Sequence, residues 1–213
     1  MSMKLHRQIP ACFDGYGHIY RRWDSTENMS VARILPGEFY VTKEDEQLIT
    51  TLGSCVSACI RDRVFKIGGM NHFMLPESAE MQGQSGTDNL LSNAARYGSY
   101  AMEHLINGIL RQGGLRKNLE IKVFGGGKII STMTDVGVKN IRFVLEYLKT
   151  ENLPISAQDL GDVYPRKVIY FPQSGRVRVK HLKNTNKDVI ARQEQSYSQE
   201  INQTPVAGEV ELF

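Results

Sequence analysis

Apolar side chains recur along the chain with two periods, and the change from one to the other divides it into strands and helices. After the turn signal Pro36-Gly37, residues 38–42 (EFYVT) read as a short strand. Residues 48–62 are apolar and rich in Thr, Val and Ile, with Gly53 interrupting them. A glycine within a strand pattern marks a bend or a close backbone approach. Beyond it, Val56, Ala58 and Ile60 alternate with Ser57, Cys59 and Arg61, which is strand spacing. Residues 64–75 form a second apolar run, broken by Gly68-Gly69 and stopped by Pro76. These two runs are expected as neighbouring core strands. A polar loop spans residues 77–88, where Thr87 or Asp88 is placed to cap a helix. Leu91, Ala94, Ala95, Met102, Leu105, Ile106, Ile109 and Leu110 follow helical spacing up to Gly113-Gly114.

Residues 119–124 predict another strand, which runs into Gly125-Gly126-Gly127. A second helix is expected from about Val138 to Lys149, with Val138, Ile141, Val144, Leu145 and Leu148 on one face and Pro154 beyond its end. Residues 167–171 and 176–180, joined by PQSG, carry a hairpin signal. The pattern thus predicts an α/β fold, an α+β sandwich of mixed sheets with two main helices and roughly seven strands. Three regions are expected: an aromatic-rich arm at 1–35, a domain at 36–183, and a polar, Gln-rich, flexible tail at 184–213.

Composition narrows the class. The 213 residues, 41% hydrophobic and 23% charged, allow one sizeable core. No apolar run approaches the roughly 18 residues needed to cross a bilayer. The N-terminus lacks the apolar segment of a secretory signal, so a cytoplasmic location is expected without membrane insertion. Cys12, Cys55 and Cys59 are odd in number and read as reduced thiols rather than a disulfide framework. The net charge of +3 hides an asymmetry: residues 166–192 hold eight basic side chains against one acid, Asp188. That is a local basic face, not the bulk charge of a nucleic-acid binder.

The segment richest in candidate chemistry is TTLGSC (50–55), followed by GGMNHFMLP (68–76). A thiolate is the nucleophile, and a free cysteine of pKa about 8.5 is only a few per cent ionised at neutral pH. A nearby imidazole corrects this by accepting the proton and returning it to a leaving group. Antiparallel neighbouring strands would bring His72 beside Cys55. Two other readings stand beside this one. Either cysteine could be a small core side chain. Cys55, Cys59 and His72 could instead ligate a metal, although C-x3-C without a second compact pair is poor for structural zinc. No cofactor is expected.

LGSCVSACIRD and GGMNHFMLPE resemble the CheD family of chemoreceptor glutamine deamidases, as do KVFGGG (122–127), residues 137–161 and the RKVIYFPQSGRVRVK hairpin. The aromatic arm with YGHIYRRWD and ILPGEFYVT is similar to that of proteobacterial members, and the resemblance covers about residues 13–183. It implies a cysteine hydrolase distantly related to papain-like and cytotoxic-necrotizing-factor deamidases, acting on glutamines of the cytoplasmic helices of methyl-accepting chemotaxis receptors. It also implies Cys55 as nucleophile, His72 as general base and acid, and a CheC-type phosphatase as a further partner. The alternative is an adaptor that binds receptors or such a phosphatase with little or no turnover.

One position departs from the family pattern. A threonine is expected six residues before the cysteine, where it supports the histidine; Ile49 stands there. Thr51 would share the strand face of position 49 and is the expected orienter of His72. Asn71 is a rival, but in an extended segment it points away from His72. The weaker signals have ordinary readings. FGGGK lacks the spacing of a phosphate-binding loop and reads as a tight turn near the cleft. Arg176, Arg178 and Lys180 form a solvated sheet face or a docking surface for acidic receptor helices. The apolar residues of the 208–213 terminus are a frayed end or a docking peptide.

Overall fold

The strand-patterned segments assemble into two five-stranded sheets in a computed structural model of the chain. The structure describes residues 9–75, 87–129, 136–183 and 187–203. The strands are β1 (Tyr20–Asp24), β2 (Met29–Arg33), β3 (Phe39–Thr42), β4 (Glu46–Leu52), β5 (Val56–Asp62), β6 (Gly68–Asn71), β7 (Leu119–Gly125), β8 (Ile155–Leu160), β9 (Arg166–Phe171) and β10 (Arg176–His181). The helices are α1 (Thr87–Arg111), α2 (Val136–Thr150) and α3 (Lys187–Gln203). The first sheet runs β1-β2-β4-β9-β10 and the second β3-β6-β5-β7-β8. Both are mixed, because β2 pairs with β4 and β7 with β8 in parallel while the other pairs are antiparallel. The fold is α+β.

Side chains of both sheets join one core. Leu48, Leu52, Val168 and Tyr170 from the first sheet share it with Tyr40, Ala58, Ile60 and Met70 from the second. Helix α1 packs on β3, β6 and β5, and α2 on α1 and β5. All five residues of β5 from Val56 to Ile60 are buried, as a central strand covered on both faces requires. Helix α1 ends where the glycines require it: Gly113 sits at φ +98° and Gly114 N–H donates to the Ile109 carbonyl at 3.0 Å.

Several expectations are revised. Residues 20–33 are not an arm laid on the domain but two strands of its first sheet, since β2 lies between β1 and β4. The segment after residue 183, expected as a flexible tail, contains the helix α3. Its inward stripe, Ile190, Glu194, Tyr197, Ser198 and Ile201, repeats at helical spacing, with a carboxylate where an apolar residue would normally announce the element. In α2, Val138 is exposed, and the buried row is Val136, Asn140, Val144 and Leu148. The loop at 77–86, the 208–213 terminus, and the side chains of Leu91, Ala94 and Ala95 lie outside the described residues. Among the described residues, no helix is long and apolar enough to cross a membrane.

Candidate active site

The chain leaves the first sheet at Leu52 and enters the second at Val56, so Gly53, Ser54 and Cys55 form the link between the sheets. The three carbonyls of this link are all engaged. Gly127 N–H donates to Gly53 O at 2.6 Å, Gly126 N–H to Cys55 O at 2.7 Å, and Asn140 Nδ2 to Ser54 O at 2.8 Å. The three link amides all donate to a single carboxylate, that of Glu194 on α3. Glu194 Oε1 accepts from Gly53 N–H at 2.8 Å and Cys55 N–H at 3.2 Å. Oε2 accepts from Ser54 N–H and Ser54 Oγ, both at 2.7 Å. Three convergent amides make an anion cradle, the arrangement that also stabilises a tetrahedral oxyanion.

Two glycines make this geometry possible. A Cβ at Gly53 would collide with the Ile129 side chain and the Glu194 carboxylate. Gly125 has φ +114°, and a Cβ there would run into the Cys55 carbonyl. The FGGG segment, expected as a strand-end turn near the cleft, is the clamp behind Cys55.

His72 lies just past β6 and is fixed by its backbone. Its N–H donates to Glu38 O at 2.9 Å, and its carbonyl accepts from Gly37 N–H at 2.8 Å. The β5–β6 pairing continues through a bridge between Val56 and Phe73, which closes the separation between Cys55 and His72. Thr50 Oγ1 is 2.7 Å from His72 Nδ1 and 2.7 Å from the Ile34 carbonyl. Its one proton goes to Ile34 O, so toward His72 it accepts, and the network assigns the imidazole proton to Nδ1. Nε2 is then a free lone pair, and it has no hydrogen-bond partner among the described residues. Cys55 Sγ, a His72 ring nitrogen and a Glu194 oxygen lie within 4.8 Å of one another.

Thr50, not Thr51, therefore touches the histidine. In β4 the residues Leu48, Thr50 and Leu52 face inward, while Ile49 and Thr51 point outward toward Tyr20, Arg22 and Lys167. The contact falls at position 50 rather than on the face of position 49, and a shift of one residue along a strand exchanges the faces. Asn71 braces the scaffold instead: it accepts from Ala58 N–H at 2.7 Å and donates to Ala101 O at 3.0 Å. Cys59 is buried in β5 and does not join the Cys55–His72–Glu194 group. That removes the expected alternative of Cys55, Cys59 and His72 as joint metal ligands. The carboxylate lone pairs of Glu194 are already spent on the four link donors.

Glu194 and Asn140 are the other residues missed from the sequence. Each carried a signal, a polar side chain in phase with a helix's apolar stripe. The electrostatics describe a resting pair. Burial pushes the Cys55 thiol well up, and the Glu194 charge adds to it. Burial brings His72 down to about 4, opposed by Glu194 and the Ile34 carbonyl. Both groups are thus neutral with Glu194 in place.

Known proteins match the chain over most of its length. A family model described as CheD chemotactic sensory transduction matches residues 74–181. The probable chemoreceptor glutamine deamidase CheD of Halorhodospira halophila is 52% identical over 205 residues, 96% of this chain and 94% of that protein. The same-named protein of Methylobacillus flagellatus is 51% identical over 193 residues, 90% of this chain and 93% of its own. That of Saccharophagus degradans is 45% identical over 216 residues, 100% of this chain and 98% of its own.

Proposed function

The chain belongs to the CheD family, and we propose on that footing that it is a chemoreceptor glutamine deamidase in which Cys55 is the nucleophile, His72 the general base and acid, and Thr50 the residue that orients His72. Supporting this reading is one observation above the rest: the Thr50–His72 hydrogen bond engages Nδ1 and leaves Nε2 without a partner among the described residues, while a His72 ring nitrogen lies within 4.8 Å of the Cys55 thiol beside the amide cradle.

The chemistry runs in two halves. His72 Nε2 takes the Cys55 proton, and Sγ attacks the carboxamide carbon of a glutamine side chain. The oxyanion that forms receives the link amides of Gly53, Ser54 and Cys55. His72 then protonates the departing ammonia and leaves a γ-glutamyl thioester on Cys55. The same imidazole activates water, which releases glutamate and restores the thiol. Thr50 takes no proton in either half; it keeps Nδ1 protonated, so that Nε2 remains the basic nitrogen.

The substrates on this reading are glutamines on the cytoplasmic helices of methyl-accepting chemotaxis receptors, and the enzyme works in the cytoplasm as part of chemotaxis. A CheC-type phosphatase is the second partner proposed. The adaptor alternative drew its only sequence support from Ile49, and Thr50 supplies the contact that position 49 was expected to make.

Intact-mass measurement of a receptor cytoplasmic fragment incubated with the chain tests the proposal. Expected is the mass gain of amide-to-acid conversion, abolished by Cys55→Ala and kept by Cys59→Ala. Fragment mass unchanged by both the wild-type chain and a Glu194→Ala chain would overturn it.

A further inference from the structure

The amide cradle beside the nucleophile is already filled, and by an unusual tenant. A reacting carbonyl must place its oxygen on the Gly53, Ser54 and Cys55 amides and its carbon beside Sγ. Glu194 places its carboxylate there, with four hydrogen bonds of 2.7–3.2 Å, in the same 4.8 Å group as Sγ and the His72 ring nitrogen. The tenant's side chain is a glutamate, chemically the product of glutamine deamidation. A helix carries it, as one carries the receptor glutamines of the proposed reaction.

The attachment of α3 is narrow. Glu194 and Ser198 are buried, with Ile190, Tyr197 and Ile201 as the apolar part of its inward stripe. The Tyr197 ring packs against Gly37, where a Cβ would stand 2.9 Å from its hydroxyl, and that hydroxyl hydrogen-bonds to Tyr97. The flanking Gln193 and Gln195 are exposed, as are Arg192, Ser196, Gln199 and Glu200. Such a helix has little apolar surface to keep it in place once its carboxylate is released.

We propose that α3 occupies the groove in which a receptor helix binds, with Glu194 as a built-in mimic of the glutamate product, and that turnover requires α3 to be displaced by the substrate helix. This rests on the deamidase reading and extends it in two ways. The groove along Gly37, Thr50, His72 and the 53–55 link becomes the substrate surface, and the substrate presents its glutamine from the side of an intact helix. The amides cannot hold Glu194 and an oxyanion together, so docking of α3 and catalysis on another helix exclude each other. Burial first, and the Glu194 charge second, disfavour the Cys55 thiolate while α3 is docked.

The placement can be read directly by making the tenant a substrate. In Glu194→Gln the carboxamide carbon of residue 194 lies beside Cys55. Sγ bonds to it, the C–N bond breaks, ammonia leaves with the proton carried by His72, and water hydrolyses the thioester to a carboxylate. Peptide mass spectrometry of the purified variant should find glutamate at position 194. The Glu194→Gln/Cys55→Ala chain should retain glutamine there. Competition is read separately. Glu194→Ala should deamidate the receptor fragment on the order of tenfold faster than wild type, because a competitor held at millimolar effective concentration has been removed.

Glutamine retained at 194 in the Cys55-containing chain, or a fragment rate not raised by Glu194→Ala, overturns the proposal. If the wild-type chain still converts the fragment through Cys55, the deamidase reading survives that result. Failure of every chain to convert the fragment would instead remove the reading on which it rests.

Discussion

Thr50 carries the sharpest residue-level consequence. Its Oγ1 is positioned by the Ile34 carbonyl and in turn holds His72 Nδ1. Thr50→Val keeps the shape and removes that acceptor, a loss of about 1–3 kcal/mol for a buried hydrogen-bonding group. Expressed in kcat this is on the order of ten- to a hundredfold, with KM for the receptor fragment little changed. Thr50→Ser should recover most of the rate, and Thr51→Val should leave it intact, since Thr51 faces outward. A role for Thr50 in stability alone would lower the yield of folded protein without separating kcat from KM. His72 makes a second prediction, on stability. Its folded pKa of about 4 lies below the ordinary 6.5, so between these values the unfolded chain binds the extra proton. The contribution is full above about pH 6.5 and is lost as pH falls toward 4, at up to about 1 kcal/mol per pH unit. Urea midpoints measured across that window should fall more steeply for wild type than for His72→Gln. Equal slopes would contradict a buried neutral imidazole.

At the level of elements, seven strands were legible, and β1, β2 and β8 were not. β3, β4, β5, β6 and β7 and the β9–β10 hairpin carry the apolar runs that predicted them, because burial writes hydrophobicity into the sequence. β1 and β8 lie at sheet edges, where YRRWD and ISAQDL alternate with little contrast. Helix α3 was illegible for a different reason: the centre of its inward face is a carboxylate matched to three backbone amides. Cys55 and His72 stood out as residue types, whereas Glu194 and Asn140 show in the sequence only as polar side chains in phase with an apolar stripe, and their partners lie on distant elements. Asn140 joins α2 to the link, donating to Ser54 O and accepting from Leu75 N–H at 2.9 Å. Asn140→Ala strands both partners in the interior and should destabilise the protein by about 1–3 kcal/mol, with kcat falling as the Cys55 link loosens. Differential scanning calorimetry alongside fragment deamidation measures both; an unchanged Tm and kcat would refute the bracing role.

Across the whole molecule, charge and chemistry occupy different faces of the first sheet. The inner face of β4 holds Thr50 against His72, while the outer face presents Arg22, Arg33 and Lys167 around an open basin. The basic edge continues along β10, where Arg176, Arg178 and Lys180 are exposed, with Arg176 and Arg178 stacked over the Phe171 ring and Arg178 paired with Glu27 at 3.2 Å. If this face steers acidic receptor helices, KM for the fragment should rise with ionic strength while kcat stays constant. Arg176→Glu with Lys180→Glu should raise KM and flatten that salt dependence. A KM indifferent to both would make the hairpin a solvated edge only.

The proposed deamidation requires a covalent bond between Cys55 and the glutamine side chain. Acid-quenched mixing of the chain with a receptor fragment, followed by mass spectrometry, reads that bond directly. The expected species is enzyme plus fragment minus ammonia, mapped by digestion to a thioester at Cys55 and missing in Cys55→Ala. Deamidated fragment accumulating in the Cys55→Ala chain, or an adduct mapped to any other residue, would contradict it.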